Sequence, residues 1–99
     1  NMALHTLQEA LKPIQKNQSS YVFNDLIRDC RKTIGLKQFM AAQLAGMTER
    51  RLKHLEMGWF IHMPKAHEIY LLSRLYDLDP TTLQVQAEEY IHERKSKKD

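Results

Sequence analysis

Gly35-Leu-Lys-Gln38-Phe-Met-Ala-Ala42-Gln-Leu-Ala-Gly46-Met-Thr48-Glu-Arg-Arg-Leu52-Lys-His-Leu55-Glu-Met-Gly58 reads as two short helices joined by a tight turn at Gly46. Thr48 stands where an N-cap belongs: its hydroxyl can accept a backbone N–H that would otherwise go unpaired. Leu52 and Leu55, with Met47 just ahead of the helix, give the second helix (49–57) a narrow apolar side. Its other side carries Glu49, Arg50, Lys53 and His54, with Arg51 at the edge. A short helix that is apolar on one side and basic on the other suits the major groove of DNA, which admits a helix and presents hydrogen-bonding base edges.

Gln38, Ala42, Gly46, Leu52, Glu56 and Gly58 also stand at a joint spacing. In this the chain resembles the helix-turn-helix family of phage repressors and Cro-like (XRE-type) proteins. The resemblance reaches upstream to Arg31 and downstream through Pro64 and Leu75, covering about residues 23–83 and leaving both ends outside it. It implies a lambda-repressor-like DNA-binding domain. It implies base reading by the first two residues of the second helix and one a turn later, here Glu49, Arg50 and His54. Gln38 matches the family glutamine that bonds a phosphate. Thr48, Arg51 and Lys53, with Lys37, complete the set of expected phosphate contacts. The resemblance further implies an ion pair between Arg31 and Glu56, tying the preceding helix to the recognition helix. Such a role is structural, because removing one partner strands a charge; a loose solvent-exposed pair is the alternative.

The chemistry of these residues fits that outline. Arg50 can bond guanine with two N–H groups, and Glu49 can accept from cytosine N4. Glu49 has a second reading, as a partner of the helix dipole and of Lys53 four residues on. Arg51 and Lys53 are phosphate contacts or solvated cations. Lys37 departs from the family, which has Ser or Thr there; Lys is a poor cap beside the positive end of a helix, unless a phosphate sits nearby. Ala41 and Ala45 stand where the family has larger apolar residues. Phe39, Met40 and Leu44 are expected to fill that volume from neighbouring positions.

Composition sets the frame. Ninety-nine residues suffice for one small domain. With three Gly, three Pro and no β-branched runs, the class is all-α: a compact bundle of about five to six short helices, with an extra N-terminal helix. Cys30 is the single cysteine, which excludes an intramolecular disulfide and fits a reducing compartment; it reads as a buried small apolar residue. No run of about 18 apolar residues marks a membrane span. No signal peptide is apparent, since Lys12, Pro13 and Lys16 interrupt the early apolar positions. The expectation is a cytoplasmic protein of bacterial, phage or mobile-element origin. The formal net charge of +3 hides a segregation: residues 28–54 carry seven basic and two acidic side chains, whereas residues 55–93 carry two basic and seven acidic. Such segregation is the electrostatic footprint expected for a polyanion partner.

The rest of the chain divides into three parts: 1–20, 21–93 and 94–99. Leu4, Leu7, Leu11 and Ile14 recur at helical spacing over 2–16, a helix expected to end or bend near Pro13. It packs on its own domain or serves as a dimerisation arm. Residues 16–20 form a polar connector. Residues 21–33 form a helix with Phe23, Leu26, Ile27 and Cys30 as its core stripe. Trp59, Phe60 and Ile61 cluster in the loop after the second motif helix; they cap the core or form a dimer or partner surface. A further helix spans 65–76, the fourth after the N-terminal one. Asp79 caps the next, with Pro80 in its first turn, to about residue 93. Residues 94–99 are a basic tail.

The sequence thus points to a DNA-binding transcriptional regulator, a dimeric repressor on a near-palindromic site in double-stranded DNA. An antitoxin-type regulator with a toxin or other protein partner is one alternative. A protein-interaction module that has lost DNA binding is another. An enzyme is not expected: no Gly-rich phosphate loop, metal-ligand cluster or nucleophile with a matched base occurs. No cofactor and no metal are expected; His5, His54, His62, His67 and His92 are too scattered to form a site by spacing.

Overall fold

Phe23, Leu26, Ile27 and Cys30 recur three and four residues apart, on one side of a helix, and all four are fully buried. The helix they build is the centre of the fold. The computed structural model describes residues 2–96, with side chains from Gln8 onward. Within that range the chain forms six α-helices and one 3₁₀ turn, with no strand. They are α1 (Met2–Lys16), the turn Gln18–Ser20, α2 (Phe23–Thr33), α3 (Gln38–Leu44), α4 (Glu49–Met57), α5 (Ala66–Tyr76) and α6 (Pro80–Ser96). No described helix is long and apolar enough to cross a membrane.

Around α2 the other helices pack through one continuous core. Leu52 and Leu55 come from α4, Leu72 and Tyr76 from α5, and Leu83, Ala87 and Ile91 from α6. α3 contributes only Ala41, Ala42 and Ala45. The expectation that Phe39, Met40 and Leu44 fill the volume beside these alanines is not met: they are 50%, 43% and 60% exposed. The small side chains let the backbone of α3 come close to its neighbours, so no filling residue is required.

α1 runs through Pro13 to Lys16 rather than ending at the proline. Pro13 is exposed. Asn17 closes the helix end, its side-chain amide donating to the Pro13 carbonyl at 2.9 Å. Leu11 and Ile14 are in the core, so this half of α1 packs on its own domain. Leu11, expected on a dimer or partner surface, is almost wholly buried and packs in the core. The side chains of Leu4 and Leu7 lie outside the described residues. Two buried glutamines complete the attachment. Gln18 brackets the Asp79 peptide, donating to its carbonyl at 3.0 Å and accepting from its N–H at 2.9 Å. Gln86 donates to the carbonyls of Gln18 and Tyr21 at 2.5 and 2.9 Å. These bonds pair the two buried amide N–H groups and join the turn after α1 to α6 and its cap.

Each helix end has a local cause. Gly46 turns the chain with φ +67°, and Met47 N–H closes the end of α3 on the Ala42 carbonyl at 2.9 Å. Thr48 caps α4, its hydroxyl accepting from Arg51 N–H at 3.1 Å. Asp79 caps α6 by accepting from Thr82 N–H at 2.7 Å, ahead of Pro80. α6 continues past residue 93 to Ser96.

Trp59, Phe60 and Ile61 part company. Phe60 turns inward, 5% exposed, with its ring 5.6 Å from Phe23 edge-on and 5.1 Å from Tyr90. Burying that side chain contributes roughly 2–3 kcal/mol. Phe60 therefore belongs to the core and not to a partner surface. Trp59 and Ile61 are half exposed on either side of it.

Gly58 ends α4 at φ +73°, and a Cβ built there would lie 2.1 Å from the Tyr90 hydroxyl. Gly35 has the same φ of +73° but open space around it. Gly35→Ala should cost only the left-handed backbone strain of about 1–2 kcal/mol. Gly58→Ala should cost clearly more, because Tyr90 must also move. Urea denaturation of the two variants measures the difference; equal losses would rule out the close Gly58–Tyr90 approach.

Candidate nucleic-acid interface

The site is built on a carboxylate held inside the protein. Glu56, on the inner side of α4, is 1% exposed. Arg31 meets it with two N–H groups, Nε to Oε2 at 2.7 Å and Nη2 to Oε1 at 3.0 Å. Gln38 adds a bond from Nε2 to Oε1 at 3.1 Å. The remaining Arg31 amine donates to the Leu36 carbonyl at 3.0 Å, and Arg28 donates to the Glu56 carbonyl at 3.3 Å. Arg31 and Glu56 are thus paired, bidentate and largely buried. The bond to Glu56 holds the Arg31 pKa above its ordinary value, against the opposing effect of burial. Gln38 faces this carboxylate in the free protein.

A second bidentate pair holds the start of α4. Arg51 donates to Glu68 of α5 through Nε at 2.9 Å and Nη2 at 3.0 Å. Glu68 is 4% exposed and also accepts from Lys65 N–H at 2.8 Å. Burial alone would raise the Glu68 pKa; the Arg51 and Lys65 bonds outweigh it and hold the carboxyl below its ordinary range. Arg51 is thus engaged inside the protein.

On one side α4 leaves Glu49, Arg50 and Lys53 exposed, with His54 half-buried beside them, and at its end Met57 is exposed as well. These four, with Gln38 and Trp59, line one shallow groove. The Trp59 and His54 rings lie 5.9 Å apart. The structure therefore brings the expected base-reading residues Glu49, Arg50 and His54 onto one surface, with Lys53 and Gln38 beside them. Lys37 sits exposed at the start of α3, and Thr48 is committed to its cap.

Sequence reasoning missed three contributors. Glu68 could have been suspected as an acidic residue in the first turn of α5, though nothing local names Arg51 as its partner. Tyr90 and Arg94 both donate to the Gly58 carbonyl, and Arg94 also to the Phe60 carbonyl at 3.0 Å. Arg94, assigned from the sequence to the basic tail, is therefore anchored within α6. No sequence signal connects α6 to this loop.

Cys30 is fully buried, and burial with the nearby Asp29 pushes its thiol up to about 12, which keeps it protonated and inert. Among the described residues no group of three His, Cys, Asp or Glu side chains could hold a metal ion. No protein-family model, curated protein or solved structure matches the chain.

The two pairs yield predictions of opposite character. Arg31→Ala strands the Glu56 carboxylate in the core and should cost about 3–5 kcal/mol in urea denaturation. The Glu68 pair sets a pH dependence. Its folded pKa lies below the unfolded value of 4.5, so its stabilisation is complete above that value and is lost as pH falls through the folded one. In Arg51→Leu the bond and charge of Arg51 are lost while burial and the Lys65 N–H bond remain, so the folded pKa should rise from its depressed position. The stability that wild type loses through Glu68 as pH falls should then be smaller in the variant. Thermal melts of both proteins between pH 7 and pH 3 check this.

Proposed function

We propose that this protein is a sequence-specific DNA-binding regulator, acting as a dimeric repressor with α4 as its recognition helix. The observation that carries the reading is the division of α4 into two kinds of residue. Glu56 and Arg51 clamp it from within, while Glu49, Arg50, Lys53 and His54 stand clear on one groove. A helix clamped at two points holds side chains in fixed geometry, which base discrimination needs. Arg50 would reach a guanine edge, Glu49 a cytosine amine and His54 a neighbouring base, with Lys37 and Lys53 on phosphates. Arg51, engaged by Glu68, would act by holding α4 rather than by touching phosphate. Two copies on a near-palindromic site would place their recognition helices about 34 Å apart in successive major grooves.

A second reading has one observation in its favour. Leu36, Leu44 and Leu75 line an apolar hollow on the surface with Leu11 and Ile34, and Leu44 is 60% exposed. Such a patch suits a protein partner, as in an interaction module that has lost DNA binding.

Selection from a randomised duplex pool separates the two. The regulator reading expects a motif with two half-sites and affinity that falls steeply with salt. Arg50→Ala should lose about 1–3 kcal/mol at one base pair. Lys53→Ala should weaken all duplexes alike and lower the salt slope by about one. Recovery of no motif, with weak and salt-insensitive binding to every duplex, would overturn DNA reading by α4 and favour the protein partner.

A further inference from the structure

Trp59 is the single tryptophan of the chain, and it is held in an unusual way. Its own N–H closes α4 on the His54 carbonyl at 2.8 Å. The residue before it, Gly58, has its carbonyl bonded by Tyr90 and Arg94. The residue after it, Phe60, is buried and has its carbonyl bonded by Arg94. Backbone on both sides is thus fixed, yet the indole is 54% exposed. Its N–H meets no acceptor among the described residues. It stands at the edge of the groove that Arg50, Lys53 and His54 line, 5.9 Å from the His54 ring. Ile61 faces elsewhere, onto a hollow formed with Ile91 and Arg94.

Resting on the DNA-binding reading, we propose that Trp59 is a specificity-determining contact, laying its ring on an apolar edge of the duplex beside the bases that α4 reaches. Tyr90 and Arg94 are positioning residues that aim it. The chemistry follows from the surroundings. A large exposed ring beside cations is a typical interface anchor, since aromatic residues and arginine are enriched where surfaces become buried. In a duplex the apolar surface within reach of a groove-facing ring is deoxyribose or the thymine C5-methyl. The free indole N–H can donate to a phosphate oxygen at the same time. Because the ring carries no charge, its contribution is independent of salt, unlike that of Lys53.

The test uses the full chain and the duplex recovered by selection. Wild-type Trp59 emission, read directly as this is the only tryptophan, should change on saturation with duplex. Trp59→Ala should bind about tenfold more weakly with the salt slope unchanged. Trp59→Phe should recover most of the loss, and both variants should melt like wild type because the ring is exposed. Tyr90→Phe keeps the ring packing and loses the bond to Gly58; it should raise the mobility of Trp59, seen as lower emission anisotropy in the free protein, and weaken binding. Uracil in place of each thymine tests the source: a loss at one position, absent in Trp59→Ala, identifies the methyl, whereas no loss at any position places the ring on sugar, which carries no sequence information, and overturns the specificity role. Duplex binding with unchanged emission and undiminished affinity in Trp59→Ala would overturn the proposal while leaving the DNA reading intact. Unchanged anisotropy and affinity in Tyr90→Phe would overturn the positioning role. Failure of the wild type to bind any duplex would overturn both this proposal and the reading beneath it.

Discussion

A buried carboxylate organises this fold. Glu56 is nearly inaccessible, and an isolated carboxylate there would be prohibitively unstable. It is tolerated because Arg31 and Gln38 supply three N–H groups at hydrogen-bonding distance. Those donors come from different helices, so satisfying the charge fixes α2, α3 and α4 relative to one another. The bond from Arg31 to the Leu36 carbonyl extends the constraint to the connector between α2 and α3. An apolar substitute could stabilise as well, but it would not specify the same mutual orientation, because dispersion is nondirectional and a bidentate pair is not.

The second pair gives that orientation its use. Arg51 and Glu56 are five residues apart on α4, and each is bonded to a different neighbour. α4 is therefore prevented both from rolling about its axis and from sliding along it. Gln18 and Gln86 perform a similar task between the 3₁₀ turn and α6. Directional polar contacts thus sit where elements meet, while the apolar interior supplies the bulk of the stability.

The sequence made α4 legible to the residue because its signals are local: Thr48 caps it, Gly58 ends it, and its apolar side has helical spacing. The core stripe of α2 was legible for the same reason. The Arg31–Glu56 pair followed from the family resemblance, since 25 residues separate the partners and no spacing rule links them. Arg51–Glu68 had no such guide. The contacts of Gln18, Gln86, Tyr90 and Arg94 span 32 to 68 residues and depend on how helices pack, which periodicity does not encode. Phe60 illustrates the limit: three adjacent large apolar residues read as one patch, yet the anchoring of the loop turns one inward and leaves two outside.

The same contacts revise the electrostatic picture drawn from composition. Residues 28–54 carry seven basic side chains, but Arg28 is paired with Asp25, Arg31 with Glu56 and Arg51 with Glu68. The cations left facing solvent there are Lys32, Lys37, Arg50 and Lys53. Each phosphate neutralised contributes a salt slope of roughly −0.9, so one copy working with these four cations has a slope of at most about −3.6, and two copies on one duplex have twice that. The measured slope then reports the assembly as much as the surface, and counting formal charge alone would overstate what a single copy can do.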